Sequence, residues 1–271
     1  MISYIGGKSR MAKWICKYIP DNIETYVEIF GGAFWVYVKG DIHEKPQLKE
    51  VVYNDKNRFM SNLFKCMIDC TYFSTRLSSK PSQNKETFDK FQKELSIVDP
   101  NFDMPNHSLA IKYAYLATQV FSGSKILESK FIDLKGKYGS KYDALINRLN
   151  KPDIQKRLSK ITEVENREYH EIINIYDSPT TFFYVDPPYY KKEKYYSGKG
   201  FSTGDHQILC EMLGTIDGLF ALSYYEFDKL SEWLPKDDFN WVEKEFSKAA
   251  GASKGKKQNK GTELLIMNYD I

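Results

Sequence analysis

The segment Asp186-Pro187-Pro188-Tyr189 carries the most specific chemical information in the sequence. It follows residues 181–185, a run apolar enough to form a buried central strand. Two consecutive prolines stiffen the turn, so the Asp186 carboxylate and the Pro187 carbonyl become neighbouring hydrogen-bond acceptors. Tyr189 offers a flat aromatic face beside them. This combination suits a planar ring with an exocyclic amino group, which would donate two hydrogen bonds and stack on the tyrosine.

Two further predicted strand ends carry residues of the kind that contact ligands. Residues 26–30 read as a buried strand that ends at Phe30 and runs into Gly31-Gly32, where glycines permit either a tight turn or close approach of a ligand to the backbone. Asp55 follows a second strand at 51–53, where a carboxylate can either accept ribose hydroxyls or cap a helix. Because open α/β sheets bind ligands beyond the carboxyl ends of their strands, we consider the three ends together as one candidate site.

The segments around these residues alternate between strand and helix, as expected for an α/β fold. The order of strand, glycine turn, helix, strand and acidic residue is the opening of a nucleotide-binding sheet. Helical spacing marks 8–19 and 58–70 in the first part of the chain. Further predicted elements complete the pattern: a helix at 205–213, a strand at 219–223, a helix at 227–234 and a last strand at 263–269.

Composition excludes several classes of protein. Hydrophobic residues make up 42% of the 271 residues, mean hydropathy is −0.53, and no apolar run approaches the roughly 20 residues of a membrane span. The start, MISYIGGKSR, lacks the apolar region of a signal peptide, so we expect a reducing cytoplasmic setting. Four cysteines and four histidines are dispersed, and no metal site is predicted.

Positive charge is unevenly distributed along the chain. Lys and Arg exceed Asp and Glu by only 39 to 36, but residues 125–160 contain ten cations and four acids. The segment 248–260 contains five lysines and no acid. Each segment is either a solvated surface or a contact for phosphates.

Five motifs together resemble the Dam-type DNA adenine-N6 methyltransferases, S-adenosylmethionine-dependent enzymes of the alpha motif order. They are Tyr4-Ile5-Gly6-Gly7-Lys8, residues 28–33, Asn54-Asp55, the Asp-Pro-Pro-Tyr segment, and residues 260–269, which are similar to the family's terminal Glu-Leu-Leu strand. The resemblance extends over nearly the whole chain. It implies a Rossmann-like mixed sheet, with a catalytic domain at 1–70 and 166–271 and a mainly helical target-recognition insertion at 71–165.

The resemblance also implies roles for individual residues. Tyr4 and Lys8 would contact S-adenosylmethionine, and Asp55 would hold its ribose. Glu168-Tyr169 stands where the family usually has Asp-Phe beside the adenine of the cofactor. The predicted cofactor set is completed by the strand-end residues Phe30, Gly31, Gly32 and Asp186.

The expected reaction is methylation of adenine N6 in double-stranded DNA after base flipping, without a metal ion. Acceptors at Asp186 and Pro187, arranged out of the ring plane, would favour a pyramidal nitrogen that attacks the methyl group. Tyr189 would stack on the flipped base. The predicted catalytic residues are therefore Asp186, Pro187, Pro188 and Tyr189.

The residues that would recognise a DNA sequence are predicted less directly than the catalytic residues. The family commonly has Gly-x-x-Arg-x-Asn in its recognition hairpin, whereas this chain has Gly123-Ser124-Lys125-Ile126-Leu127-Glu128, so a GATC preference is not assumed. We expect base contacts among Ser124, Lys125 and Lys130. The lysines expected to contact phosphates are Lys248, Lys254, Lys256, Lys257 and Lys260.

Two other functions remain open at this point. One is a DNA-binding protein that keeps the fold without catalysis. The other is methylation of an amino group in RNA or of a protein glutamine, although the latter enzymes usually have Asn in place of Asp186. A role in restriction-modification, in a phage or in housekeeping is equally open, as is the oligomeric state, with a monomer on DNA plausible. Any of these roles would place the protein in a bacterial cell.

Overall fold

The computed structural model describes residues 7–98, 104–120, 125–133, 140–191, 200–247 and 260–270. A seven-stranded mixed sheet runs through it in the order β3-β2-β1-β4-β5-β7-β6. The parallel strands are β1 (Thr25–Glu28), β2 (Glu50–Asn54), β3 (Glu163–Glu165), β4 (Thr181–Val185) and β5 (Leu219–Tyr224). Strand β7 (Lys260–Met267) lies antiparallel between β5 and β6 (Asn240–Ser247).

Helices in the described ranges cover both faces of this sheet. Three of them are capped by asparagine side chains, which accept hydrogen bonds from backbone N–H groups of the first helical turn. These residues are Asn57, Asn84 and Asn106. The helices are α1 (Ala12–Ile15), α2 (Trp35–Lys39), α3 (Arg58–Ile68), α4 (Cys70–Leu77), α5 (Lys85–Ser96), α6 (His107–Thr118), α7 (Lys141–Leu149), α8 (Pro152–Leu158), α9 (Tyr169–Tyr176), α10 (Thr203–Leu213) and α11 (Leu230–Trp233). None of the described helices is long and apolar enough to cross a membrane.

Alternation along the strands divides the core between the two faces. In β4, Phe182 and Tyr184 face the side covered by α1 to α8, whereas Phe183 and Val185 face the side of α9 to α11. Both faces of the strand are therefore buried, as a continuous apolar run predicts for the centre of a parallel sheet.

The helices between β2 and β3 are continuous with the sheet's core. Buried residues of α4 to α8 belong to the same apolar cluster as the sheet face beneath α2 and α3. Strand β3 lies within the predicted insertion, but its residues pair in parallel with Val52 to Asn54 of β2. Residues 163–165 are therefore part of the seven-stranded sheet, and their two exposed or half-exposed glutamates gave no apolar signal. The functional division at 71–165 stays a prediction.

Candidate active site

Parallel register brings the three predicted strand ends to one edge of the sheet. Glu28 pairs with Tyr53 on one side and with Tyr184 on the other. Phe30, Asp55 and Asp186 each come two residues after that level. The chain moves outward from β1 to β2 and β3 and then returns to β4 beside β1, so this edge contains the point where ligands bind in open α/β sheets.

A cavity of about 450 Å³ opens at this edge. Most of the predicted cofactor residues line it. They are Lys8, Phe30, Gly31, Gly32, Asp55, Glu168, Tyr169 and Asp186. Pro188 also lines the cavity, whereas Pro187 is buried. Tyr4 lies outside the described residues.

The glycine turn packs directly against the end of β2. A Cβ atom on Gly31 would lie 2.4 Å from Cε2 of Tyr53 and 2.9 Å from the Asn54 carbonyl oxygen, so no side chain fits there. Gly32 has φ 47, the left-handed conformation that glycine adopts without strain. The turn is therefore tight, as one interpretation predicted, and it also forms part of the cavity wall, whereas close approach of a ligand to its backbone stays a prediction.

Asp55 is held by the turn that it faces. Its Oδ2 accepts a hydrogen bond from the Gly32 N–H at 2.8 Å, and its Oδ1 accepts one from the Asn57 N–H at 2.7 Å. Burial raises the pKa of Asp55 to about 6, and these two hydrogen bonds oppose that rise. The cap of α3 is Asn57, whose side chain accepts the N–H groups of the first turn. Asp55 instead braces the glycine turn with a carboxylate that lines the cavity.

Aromatic rings form one end of the cavity. The rings of Phe30 and Tyr169 are stacked with centroids 6.1 Å apart, and Phe201 contacts both rings edge-on. Beside them, the Glu168 carboxylate lies 2.7 Å from Nζ of Lys56. Glu168 also precedes α9, where its own N–H donates to the Glu171 carboxylate. Flat apolar surface next to a carboxylate suits a purine that carries an amino group.

Asp186 is held by a lysine from the other end of the chain. Nζ of Lys8 donates to Oδ1 of Asp186 at 2.8 Å and lies 3.3 Å from Oε1 of Glu263. Burial and, to a smaller extent, the charge of Glu263 raise the pKa of Asp186, whereas Lys8 lowers it, so that the resulting pKa is about 6. Asp186 is thus fixed in place as a hydrogen-bond acceptor.

Tyr189 occupies a different place from the one expected. Its ring is 6% exposed and packs against Tyr224 and Tyr225, with centroids 5.6 Å and 4.4 Å away. Its hydroxyl accepts a hydrogen bond from Lys8 and donates one to Glu263, each at 2.5 Å. These polar partners draw the ring into the core. The open face predicted for a flipped base is not present in this structure, and stacking there would require the ring to leave these contacts.

Two buried carboxyl groups of the site were quoted within motifs but given no role by the sequence analysis. Glu28 lines the cavity, and its Oε1 accepts hydrogen bonds from the Tyr26 hydroxyl at 2.8 Å and the Tyr37 N–H at 3.0 Å. Burial raises its pKa to about 8. Glu263 is 2% exposed and contacts both Lys8 and Tyr189. An acid at an otherwise apolar strand position was the available signal in both cases.

The predicted DNA-contacting lysines do not form one group. Lys125 lines the cavity and lies 3.7 Å from Glu128, whereas Lys130 is exposed. Lys260 begins β7 and lies 2.7 Å from Glu245 of the neighbouring strand. The remaining candidates, Ser124, Lys248, Lys254, Lys256 and Lys257, lie outside the described residues. Across the described ranges, no cluster of three or more His, Cys, Asp or Glu residues is arranged to hold a metal ion.

A sequence profile of the D12 class of N6 adenine-specific DNA methyltransferases matches residues 4–249. The chain belongs to this family. The match takes in the glycine turn, Asp55 and the Asp-Pro-Pro-Tyr segment, so the cavity described above is that of a D12 class methyltransferase. Family membership and the strand order together confirm the predicted fold class.

Two curated bacterial relatives are modification methylases. StsI of Streptococcus sanguinis is 24% identical over 300 aligned positions, covering 99% of this chain and 42% of that protein. LlaI of Lactococcus lactis subsp. lactis is 26% identical over 270 positions, covering 88% of this chain and 40% of its own. The chain therefore spans about two fifths of the length of these relatives.

A solved structure, the rRNA methyltransferase aviRa from Streptomyces viridochromogenes, aligns with 95% of this chain and 83% of its own. The identity is 10% and the TM-score 0.37. This likeness is too loose to support a statement about fold or substrate.

Proposed function

We propose that this D12 class methyltransferase transfers the methyl group of S-adenosylmethionine to N6 of adenine at a specific site in double-stranded DNA. The observation that carries the proposal is the placement of Asp186. Its carboxylate stands beside the cavity at the strand-order reversal, bonded to Lys8 at 2.8 Å and followed by two prolines. This arrangement fixes a hydrogen-bond acceptor where an amino group on a planar ring would enter.

The cavity has the features that S-adenosylmethionine requires. Phe30 and Tyr169 supply flat surface for the purine, and Glu168 stands beside it as an acceptor for the purine amino group. Each oxygen of Asp55 accepts one backbone hydrogen bond and keeps acceptor capacity for a ribose hydroxyl. At Gly31 the chain leaves no room for a side chain, so backbone itself forms the wall. When bound, the cofactor supplies an electrophilic methyl group on a sulfonium.

Asp186 and Pro187 are proposed to act on the geometry of the attacking nitrogen. The lone pair of adenine N6 is delocalised into the ring, which makes a planar amino group a poor nucleophile. Acceptors at the Asp186 carboxylate and the Pro187 carbonyl would hold the two N–H bonds out of the ring plane and favour a pyramidal nitrogen. Positive charge would develop on N6 as the bond from N6 to the methyl carbon forms and the bond from that carbon to the sulfonium sulfur breaks. The Asp186 carboxylate would stabilise this charge, and the methylated nitrogen would then lose one proton to solvent. Holding both substrates in line contributes the rest, on the order of 7–11 kcal/mol.

The target base must leave the duplex to reach Asp186. Flipping costs a few kcal/mol for unpairing and unstacking, to be offset by contacts in the site. In the described structure Tyr190 is half-buried and stacks on Phe227 with centroids 4.4 Å apart. Tyr189 is held by Tyr224, Tyr225 and the polar contacts below it. Base binding therefore includes a rearrangement of at least one of these two tyrosines, or it uses Pro188, which already lines the cavity.

The test is transfer of labelled methyl groups from S-adenosylmethionine to duplex DNA of mixed sequence. The wild-type protein should label adenine N6, and Asp186→Ala should lower the rate at least about 10³-fold. Cofactor affinity, measured by calorimetry, should change much less. Asp237→Ala removes an exposed carboxylate on the loop before β6 and serves as the control with unchanged rate. Sequencing of the methylated product would give the recognition site.

The competing functions predict other results in the same assay. Labelled RNA with unlabelled DNA would indicate an RNA amino-group methyltransferase, and labelled protein glutamine would indicate a protein substrate. Cofactor binding without transfer to any DNA would overturn the proposal and favour a non-catalytic DNA-binding protein. Asp186, rather than the Asn usual in glutamine methyltransferases, and the intact Lys8 contact favour the DNA enzyme.

A further inference from the structure

Glu263 is a buried carboxylate with two contacts in the centre of the site. It lies on β7, one residue before Leu264, which pairs with Tyr224 at the end of β5. Because β7 runs antiparallel to β5, its first residues reach the edge where the parallel strands end. Its side chain is 3% exposed, 3.3 Å from Nζ of Lys8 and 2.5 Å from the Tyr189 hydroxyl. The following residues of the strand are apolar and buried, so this acid is an exception within its element.

The ammonium group of Lys8 therefore contacts two carboxylates, those of Asp186 and Glu263. Lys8 lies 2.8 Å from Asp186 and 3.3 Å from Glu263, and it also donates a hydrogen bond to the Tyr189 hydroxyl. Lys8 and Asp186 alone would sum to zero charge beside the target amino group. With Glu263 ionised, the three groups carry one net negative charge in a largely water-excluded place.

The sign of that charge matches the proposed reaction. During transfer, positive charge leaves the sulfonium and develops on adenine N6, next to Asp186. A fixed negative charge aimed at the position where positive charge develops lowers the barrier, and it does so most strongly where water is excluded. A neutral Lys8–Asp186 pair would provide hydrogen-bond geometry without this net field.

We infer that Glu263 is a positioning residue for methyl transfer: it anchors Lys8 and the Tyr189 hydroxyl against Asp186 and gives the group its net negative charge. The inference rests on the proposed function. It assigns β7 a role in the site beyond closing the sheet, and it gives the Asp-Pro-Pro-Tyr tyrosine a role through its hydroxyl in the core. Lys8 thereby becomes the shared counter-ion of the two carboxylates.

The decisive variant is Glu263→Gln, which keeps the size of the side chain and removes its charge. The matched control is Glu243→Gln on β6, because Glu243 is exposed and pairs with Leu264 in register. We expect Glu263→Gln to lower kcat about 10- to 100-fold, less than loss of Asp186 itself, with KM for the cofactor within about threefold. Glu243→Gln should retain wild-type kcat.

A pH profile separates an electrostatic role from a merely structural one. Among the described residues, the groups facing Asp186 are Lys8, Glu263, Tyr189, Glu28, Tyr184 and Tyr225. The charge of Glu263 raises the pKa of Asp186, so removing it should move the acid limb of the kcat profile to lower pH. Asp186 titration followed by ¹³C NMR of labelled aspartate should show the same downward shift without reference to activity. Tyr189→Phe, which keeps the ring, should leave that titration closer to wild type than Glu263→Gln does.

The outcomes distinguish this inference from the proposed function. Wild-type kcat in Glu263→Gln, or a lower kcat with an unmoved Asp186 titration and a matching loss of thermal stability, would overturn the role assigned to Glu263. Absence of methyl transfer by the wild-type protein would overturn the proposed function, and the Asp186 titration would then still decide whether Glu263 sets the charge of the group.

Discussion

Phe30, Asp55 and Asp186 follow the ends of β1, β2 and β4 at what we propose to be the catalytic edge of the sheet. This catalytic edge contrasts with the lysines of the helical segment between β2 and β3. Hydrogen-bonded register fixes the catalytic edge, so residues more than 100 positions apart meet at one level. The lysines instead lie on turns and helix surfaces, where no ladder fixes their direction: Lys125 faces the cavity and Lys130 the solvent. The register of the parallel strands fixes the candidate active site, whereas the proposed DNA contacts would come from surface residues that no strand pairing constrains.

The largest effect is expected from adding one methyl group to the catalytic edge. Gly31→Ala would place Cβ against Tyr53 and the Asn54 carbonyl, which forces the turn away from β2 and disrupts the bond from Gly32 to Asp55. We expect a loss of about 1–3 kcal/mol in unfolding free energy and a fall of cofactor affinity beyond tenfold. Thermal unfolding and calorimetry measure the two effects. Gly204→Ala, whose Cβ would meet the Ser202 hydroxyl at 3.6 Å among the described residues, should lower neither quantity.

Asp55→Asn tests the same edge by chemistry instead of shape. An amide keeps one acceptor for the two N–H groups of Gly32 and Asn57, so we expect cofactor affinity to fall about 10- to 100-fold. The pKa of Asp55 is raised to about 6, so wild-type affinity should decline as pH falls through 6, where the carboxylate becomes protonated. Calorimetry between pH 5 and 8 should show a smaller decline in Asp55→Asn. An equal decline in both proteins would mean that another group controls it.

Glu28→Gln tests how much unfolding free energy the protein loses by burying this carboxyl group at the catalytic edge. Burial raises the pKa of Glu28 to about 8, so the folded state binds the proton more tightly than the unfolded state, where the pKa is near 4.5. The stabilising contribution is complete below pH 4.5 and is lost as pH rises through 8. As pH rises from 5 to 8.5, wild type should therefore lose stability that Glu28→Gln keeps. The Tm of Glu28→Gln minus the Tm of wild type should increase over this range, by about 2–4 °C for each kcal/mol that wild type loses. A difference in Tm that does not change with pH would contradict this reasoning.

The same contrast explains what could be predicted from the sequence. Five strands of the sheet were predicted and are confirmed, with β4 at 181–185 matching to the residue, because buried strands have long apolar runs. Strands β3 and β6 were not predicted because they are the two outermost strands of the sheet and lack a long apolar run. Strand β3 is only three residues long, and β6 is rich in polar side chains.

Contacts between side chains that are distant in the chain could not be predicted from the sequence. The motif containing Glu263 was recognised, but its contact with Lys8 depends on an antiparallel strand that returns to the edge from 255 positions away in the chain. Tyr189 was expected to face a base, and nothing in the Asp-Pro-Pro-Tyr segment indicates that Tyr224 and Tyr225 pack against it. The role of a residue could therefore be predicted from the sequence where it depends on that residue alone, but not where it depends on contacts with residues distant in the chain.

The smallest effect is expected outside the catalytic edge, at Lys130. If its exposed ammonium contacts one phosphate, Lys130→Gln should weaken DNA binding a few-fold and reduce the slope of log affinity against log salt by about 0.9. Cofactor affinity should stay the same. Lys125→Gln is the informative partner, because Lys125 lines the cavity and its loss should also change cofactor affinity. Lys17→Gln, at an exposed position beside α1, controls for general charge loss. An unchanged salt slope in Lys130→Gln would exclude this lysine as a DNA contact and contradict its predicted role.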